Sequence, residues 1–180
     1  AHIQRMAHYS EIIARGLDLD DASCRLLLKA APMHDVGKIG IPDHILLKPG
    51  RLTPQEFEVM KRHAELGYEL LKDSGSEILQ AGAEIALSHH EKYDGSGYPK
   101  GLKGHAIPLF GRIVAVADVF DALTSERPYK KAWLLDDALR FLEDGRGGHF
   151  DPLCVEALLA GWEDVLEVRQ RFHDEEMPLI

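Results

Sequence analysis

Ionisable residues stand where a helical pattern calls for apolar ones, and this conflict restricts the folds open to the chain more than any other feature. His34 shares a face with Ala30 and Leu27, and Asp35 with Ala31 and Leu28. His63 follows Val59 and Met60 at the same spacings, Asp118 follows Val114 and Ala115, and His89-His90 follow Ile85, Ala86 and Leu87. An ionised aspartate in such a place costs several kcal/mol unless it is paired or coordinated. Two aspartates and several histidines arriving from separate helices resolve that cost together by surrounding cations. The chain is therefore expected to fold so that these helices meet.

The remaining pattern is helical almost throughout. Ile3, Ala7, Ala14 and Leu17 recur at helical spacing, with Gly16 closing the first element. Asp20-Asp21 start a second helix that carries His34. Residues 37–52, with two prolines, read as a loop. Thr53-Pro54-Gln55-Glu56 is a capping box opening a third helix, which continues through His63 to about Leu71. A fourth runs from about Ser76 to His90, a glycine-rich loop spans 94–107, and Pro108 begins a fifth, strongly apolar helix. Later helices cover about 134–144 and 152–175, the last capped by Asp151-Pro152. No adjacent segments alternate like a hairpin. The fold class is all-α, a single-domain helical bundle.

Bulk properties narrow the function. A chain of 180 residues can bury a proper core. Its net charge of −9 argues against broad binding of DNA or RNA polymers. No apolar stretch approaches the roughly 20 residues needed to cross a bilayer, and no signal peptide is visible. Cys24 and Cys154 form no CxxC motif and read as reduced, buried thiols of a cytoplasmic protein. The opening at Ala1-His2, already amphipathic, is expected to be a cut from a longer regulatory protein with a sensor or receiver segment upstream.

Taken one at a time, these polar residues have ordinary readings. A lone histidine on an apolar face is more often a satisfied core residue, Asp35 could cap a helix or pair with Lys38, and Asp118 could bond a backbone amide. Jointly they are too many for one core without a common partner. Neighbours on a helix point about 100° apart, so Asp35 can bridge two ions while His34 binds one. Imidazole-rich, thiolate-free ligation suits Fe, Mn, Zn, Co or Ni better than Ca or Mg. The number of ligands exceeds what a closed structural zinc requires. At least two ions are expected, and hydrolysis of a phosphoester is their natural reaction. His8, His44, His105, His149 and His173 read as surface or loop residues and stand outside this set.

These segments resemble the HD-GYP family of the HD metal-dependent phosphohydrolases. The matching stretches are His34-Asp35-Val36-Gly37-Lys38 with Ile39-Gly40-Ile41-Pro42, Leu46-Leu47-Lys48-Pro49-Gly50, and Met60-Lys61-Arg62-His63. His89-His90-Glu91 running into Asp94-Gly95-Ser96-Gly97-Tyr98-Pro99 follow, then Ala117-Asp118-Val119-Phe120-Asp121-Ala122-Leu123-Thr124 and Arg127-Pro128-Tyr129-Lys130. The match runs in order over about residues 1–152.

The resemblance implies a phosphodiesterase that hydrolyses cyclic di-GMP to pGpG and then GMP, with a metal-bridging hydroxide as nucleophile. It implies two or three divalent ions, iron or manganese, held by His2, His34, Asp35, His63, His89, His90 and Asp118. Asp35 and Lys38 would be catalytic, with Lys38 also on a phosphate oxygen. Arg127 and Lys130 would grip phosphate or guanine, with Asp121 beside them. The loop at Gly97, Tyr98 and Pro99 would border the cleft or receive partner proteins such as diguanylate cyclase domains. In trinuclear members a glutamate precedes the first histidine ligand by four positions, which here falls before Ala1. Two alternatives share these features: a hydrolase of another cyclic dinucleotide or nucleotide, and a non-catalytic module that binds ligand or partner. The helix at 152–175 is expected to dock on the bundle or to pair with a second copy as a homodimer.

Overall fold

The computed structural model describes residues 1–173, and they form an all-α bundle with no strand among them. Helix α1 (His2–Gly16) lies at its centre, with Met6, Tyr9 and Ile13 fully buried. It packs against α2 (Asp21–Ala30), α7 (Leu109–Thr124), α9 (Pro152–Ala160) and α10 (Trp162–Arg171). The shared core takes Leu27 from α2, Ile113, Val114, Val116 and Phe120 from α7, and Val155 and Leu158 from α9. Burying each such side chain contributes about 1.5–3 kcal/mol. A second layer, α5 (His63–Leu71) on α6 (Glu77–Ser88), packs beside it, joined to the first through α2 and α7. Helices α3 (Asp43–Leu46), α4 (Pro54–Lys61) and α8 (Leu135–Asp144) complete the set.

Local signals explain most boundaries. Asp20 accepts a hydrogen bond from the Ser23 amide at 2.7 Å and starts α2. The Thr53–Glu56 capping box is present in full, and Ser76 and Asp151 cap α6 and α9.

Helix α1 closes at Gly16 as read, and the chain turns at Leu17–Asp18, where Asp18 takes the left-handed conformation with φ 60°. Several other boundaries differ from the sequence reading. Helix α2 stops at Ala30, so His34-Asp35 stand on a turn between two 3-10 segments, Ala31–Met33 and Val36–Gly40. Pro32 is the cause, because it has no N–H to donate and its ring clashes with the carbonyl of residue Leu28. The 37–52 loop contains α3. The third helix is two, α4 and α5, parted at Arg62 where the His63 ring reaches back to the Met60 carbonyl. The C-terminal helix is also two, α9 and α10, parted at Gly161, against which the Ile12 side chain packs. Helix α10 docks on α1 and α9, with Val165 buried. Helix α10 ends at Arg171, short of the expected 175; residues 174 and 175 lie outside the described residues.

Candidate metal centre

Each of three histidines uses one ring nitrogen to fix its own orientation. The Nδ1–H of His34 donates to the Ala31 carbonyl at 3.0 Å, and that of His63 to Met60 at 2.7 Å. His89 does the same toward Ile85 at 3.0 Å and Ala86 at 3.2 Å. All three rings therefore turn Nε2 inward, the nitrogen whose lone pair a metal ligand would use. These Nε2 atoms are buried and have no hydrogen-bond partner among the described residues, and Asp35 Oδ1 shares that condition. Leaving so many buried polar atoms unpaired costs about 1–3 kcal/mol each. Divalent cations would satisfy them all.

The seven expected ligands fall into two adjoining groups, each with ligand atoms within 4.8 Å of one another: Asp35, His63, His89 and His90, and His2, His34 and Asp118. Asp35 joins them. Its Oδ1 lies 3.4 Å from both His63 Nε2 and His89 Nε2, while its Oδ2 lies 3.2 Å from His34 Nε2. His34 Nε2 is 3.5 Å from Asp118 Oδ1, and His2 Nε2 is 3.6 Å from that same oxygen.

Charge in the cluster is arranged for cations. Burial disfavours an ionised Asp35, yet His34, His63 and His89 hold its carboxyl far below the usual range. Burial works against the Asp118 anion too, but His34 brings its pKa down to about 2. Burial opposes charge on His34 as well; Asp118 and then Asp35 overcome it and push the imidazole up to about 10. His90 moves the other way, down to about 2, through burial and its neighbours His89 and His63. It is held neutral, as ligation needs. With five imidazoles, two carboxylates and no thiolate, the donors fit divalent transition metals.

Local packing explains the assembly. Gly37 sits where the segment after Asp35 presses on α5; a Cβ there would lie 1.9 Å from the His63 carbonyl oxygen and 2.4 Å from the Gly67 nitrogen. Lys38 donates to Asp35 Oδ2 at 2.9 Å, keeping a cation beside the carboxylate that faces both groups. Gly97 serves close approach, since a Cβ would lie 2.3 Å from the Lys92 nitrogen and 2.5 Å from the His90 oxygen. The Tyr98 ring can then stack on His90 at 4.9 Å, with Phe57 edge-on to it at 6.1 Å. Burial, with Asp35 and Asp118 nearby, raises the Tyr98 pKa and keeps its hydroxyl protonated. Pro99 follows through a cis peptide bond.

Three expected substrate residues stand outside the two ligand groups. Asp121 is fully buried, and its carboxylate meets Arg5 and His2. Arg127 and Lys130 are exposed in a turn closed by their own backbone bonds of 2.9 and 3.0 Å, with the Lys130 ammonium over the Trp133 ring. Of the histidines left outside the set, His8 is half-buried against Phe172 and His149 stacks on Phe150, both clear of the two groups.

Sequence reasoning missed the supports. Arg5 stands three positions after His2 on the same face of α1, a legible spacing whose partner was not. Glu91, next to the paired histidines, is buried and accepts the Lys100 and Leu102 amides at 2.7 and 3.0 Å, tying down the far side of the GYP loop.

A family model described as HD domain matches residues 1–153. The chain belongs to the HD-GYP family of HD domains. This HD-GYP chain is 56% identical over 172 residues to the cyclic di-GMP phosphodiesterase response regulator RpfG of Xanthomonas campestris, covering 96% of this chain and 46% of that protein. It is 45% identical over 174 residues to the 3'3'-cGAMP-specific phosphodiesterase 2 of Vibrio cholerae, covering 97% of this chain and 33% of that protein. A solved cyclic GMP-AMP specific phosphodiesterase of V. cholerae shares its fold, with a TM-score of 0.68 at 22% identity over 94% of this chain and 47% of that one. The HD-GYP chain thus spans less than half the length of these relatives.

Proposed function

We propose that this domain is a metal-dependent phosphodiesterase that opens cyclic di-GMP to pGpG and then cleaves pGpG to GMP. The observation that carries this reading is the set of buried, mutually facing Nε2 and Oδ atoms shared between two ligand groups through Asp35. The name of the Xanthomonas relative supports the substrate. Bound iron or manganese, two ions or three, would supply Lewis acidity and a hydroxide nucleophile at neutral pH.

The protein's own groups do the rest. Asp35 holds both ligand groups in register. Lys38, beside it, is placed to donate to a phosphate oxygen as negative charge grows there, offsetting that charge. Breaking a P–O3′ bond leaves the phosphate on the 5′ side and a free 3′ hydroxyl, which takes up a proton. Arg127 and Lys130 supply exposed cations for phosphate or guanine on an otherwise acidic protein. Tyr98 orients His90 and lines the edge of the cleft, and the outer rim of its loop is a surface for signalling domains such as diguanylate cyclases.

Incubating the Mn²⁺-loaded protein with cyclic di-GMP and separating the products by chromatography tests the reading. pGpG followed by GMP is the expected outcome; intact substrate at verified metal occupancy would refute it. A second reading, hydrolysis of 3'3'-cGAMP, is favoured by the V. cholerae relative. Rates on both dinucleotides measured side by side decide between them.

A further inference from the structure

His2 differs from the other oriented ligands. His34, His63 and His89 lean on neutral backbone carbonyls, whereas His2 Nδ1 faces the carboxylate of Asp121. That carboxylate lies on α7 one turn beyond Asp118, so a single helix face presents both a ligand and the support of another. Asp121 is itself held. Arg5 Nε donates to its Oδ1 at 2.6 Å and Arg5 Nη2 to its Oδ2 at 3.4 Å. Arg5, only 4% exposed, also donates to the Phe172 carbonyl at 2.6 Å and to Ser125 Oγ at 2.9 Å.

We propose that Arg5 and Asp121 are positioning residues for His2 and set the affinity of the second ligand group, His2, His34 and Asp118, for its cation. The inference deepens the two-cation reading above and rests on it. The physical basis is twofold. A carboxylate accepting Nδ1–H fixes the tautomer and ring orientation of His2, with Nε2 left toward the cation, more firmly than a carbonyl does. Arg5 pairs with both oxygens of that carboxylate in a site with no exposure, where an unpaired charge is not tolerated. Because Arg5 also grips the end of α10 and the exit of α7, the second cation senses how those elements are seated. Asp121 thus serves as a support of the metal centre.

Titration of metal-free protein with Mn²⁺, followed by calorimetry and by electron paramagnetic resonance, tests the proposal in wild type, Arg5→Lys, Asp121→Asn, His2→Ala and the double variant Asp121→Asn with His2→Ala. Wild type is expected to bind a spin-coupled pair. Arg5→Lys and Asp121→Asn should leave the first ion's affinity unchanged, weaken the second about 10–100-fold, and replace the coupled signal by that of isolated Mn²⁺. In the His2→Ala background, Asp121→Asn should add nothing, since its effect passes through the ring already removed. Equal second-ion affinity in wild type and both single variants would overturn the proposal. So would an Asp121→Asn effect that persists undiminished without His2, because that marks a merely structural role. If Asp121→Asn does not fold, Arg5→Lys, which keeps a cation in place, decides alone by the same readouts. Fewer than two ions in wild type would instead defeat the two-cation reading itself.

Discussion

Asp35 is the residue with most at stake, because each of its oxygens faces a different ligand group. Asparagine would fill the same space but lose the charge and one acceptor. Asp35→Asn is therefore expected to abolish measurable turnover and to lower occupancy below two ions, a larger loss than the roughly 10–100-fold typical of outer supports. Elemental analysis beside the product assay checks it. Lys38 makes a different prediction. Among the described residues its ammonium bonds Asp35 Oδ2 and no histidine, so Lys38→Ala should retain both ions and slow the chemical step by about 10²–10³-fold, the usual cost of one donor to a developing oxyanion. Retained metal with lowered kcat and little change in KM is the expected pattern; loss of metal would show that Lys38 supports the ligands instead.

At the level of elements, the site depends on how closely the segment after Asp35 meets α5. Gly37→Ala would drive a methyl group into the His63 backbone. It is expected to destabilise the fold by about 1–3 kcal/mol, as overpacking does, and to weaken Mn²⁺ binding by shifting His63; thermal unfolding and metal titration together measure both. The ligands were legible in the sequence because a charged residue on an apolar face is a conflict that reads without coordinates. The helix breaks beside them were less so. The apolar spacing runs unbroken through Pro32 and through Arg62, and only the missing N–H at Pro32 and the His63–Met60 bond interrupt the backbone there. The supports were least legible of all. Arg5 and Asp121 lie 116 positions apart, and neither carries a local pattern that names the other.

For the whole molecule, the cations and the fold are linked. Without metal, His34 keeps its proton up to about pH 10, whereas in the unfolded chain it releases it near its ordinary value of 6.5. Between those values the unfolded state holds fewer protons, so this contribution to stability is full below about 6.5 and is lost as pH rises toward 10. A metal ion must displace that proton, so its binding strengthens over the same range. The rise in Tm on adding Mn²⁺ should therefore be larger at pH 8.5 than at pH 6. At a hundredfold excess over Kd the gain is about 2.7 kcal/mol, or roughly 5–10 °C for a domain of this size. Scanning calorimetry with and without a chelator reads it, and a shift that shrinks with pH would contradict the assignment of His34. The tethering of His34, His63 and His89 to carbonyls three or four residues back has a practical corollary. Each of these three ligands travels with its own bracket in a stretch of five residues or fewer, so an engineer moving this centre to another scaffold could carry them as short cassettes, whereas His2 would need a distant brace rebuilt around it.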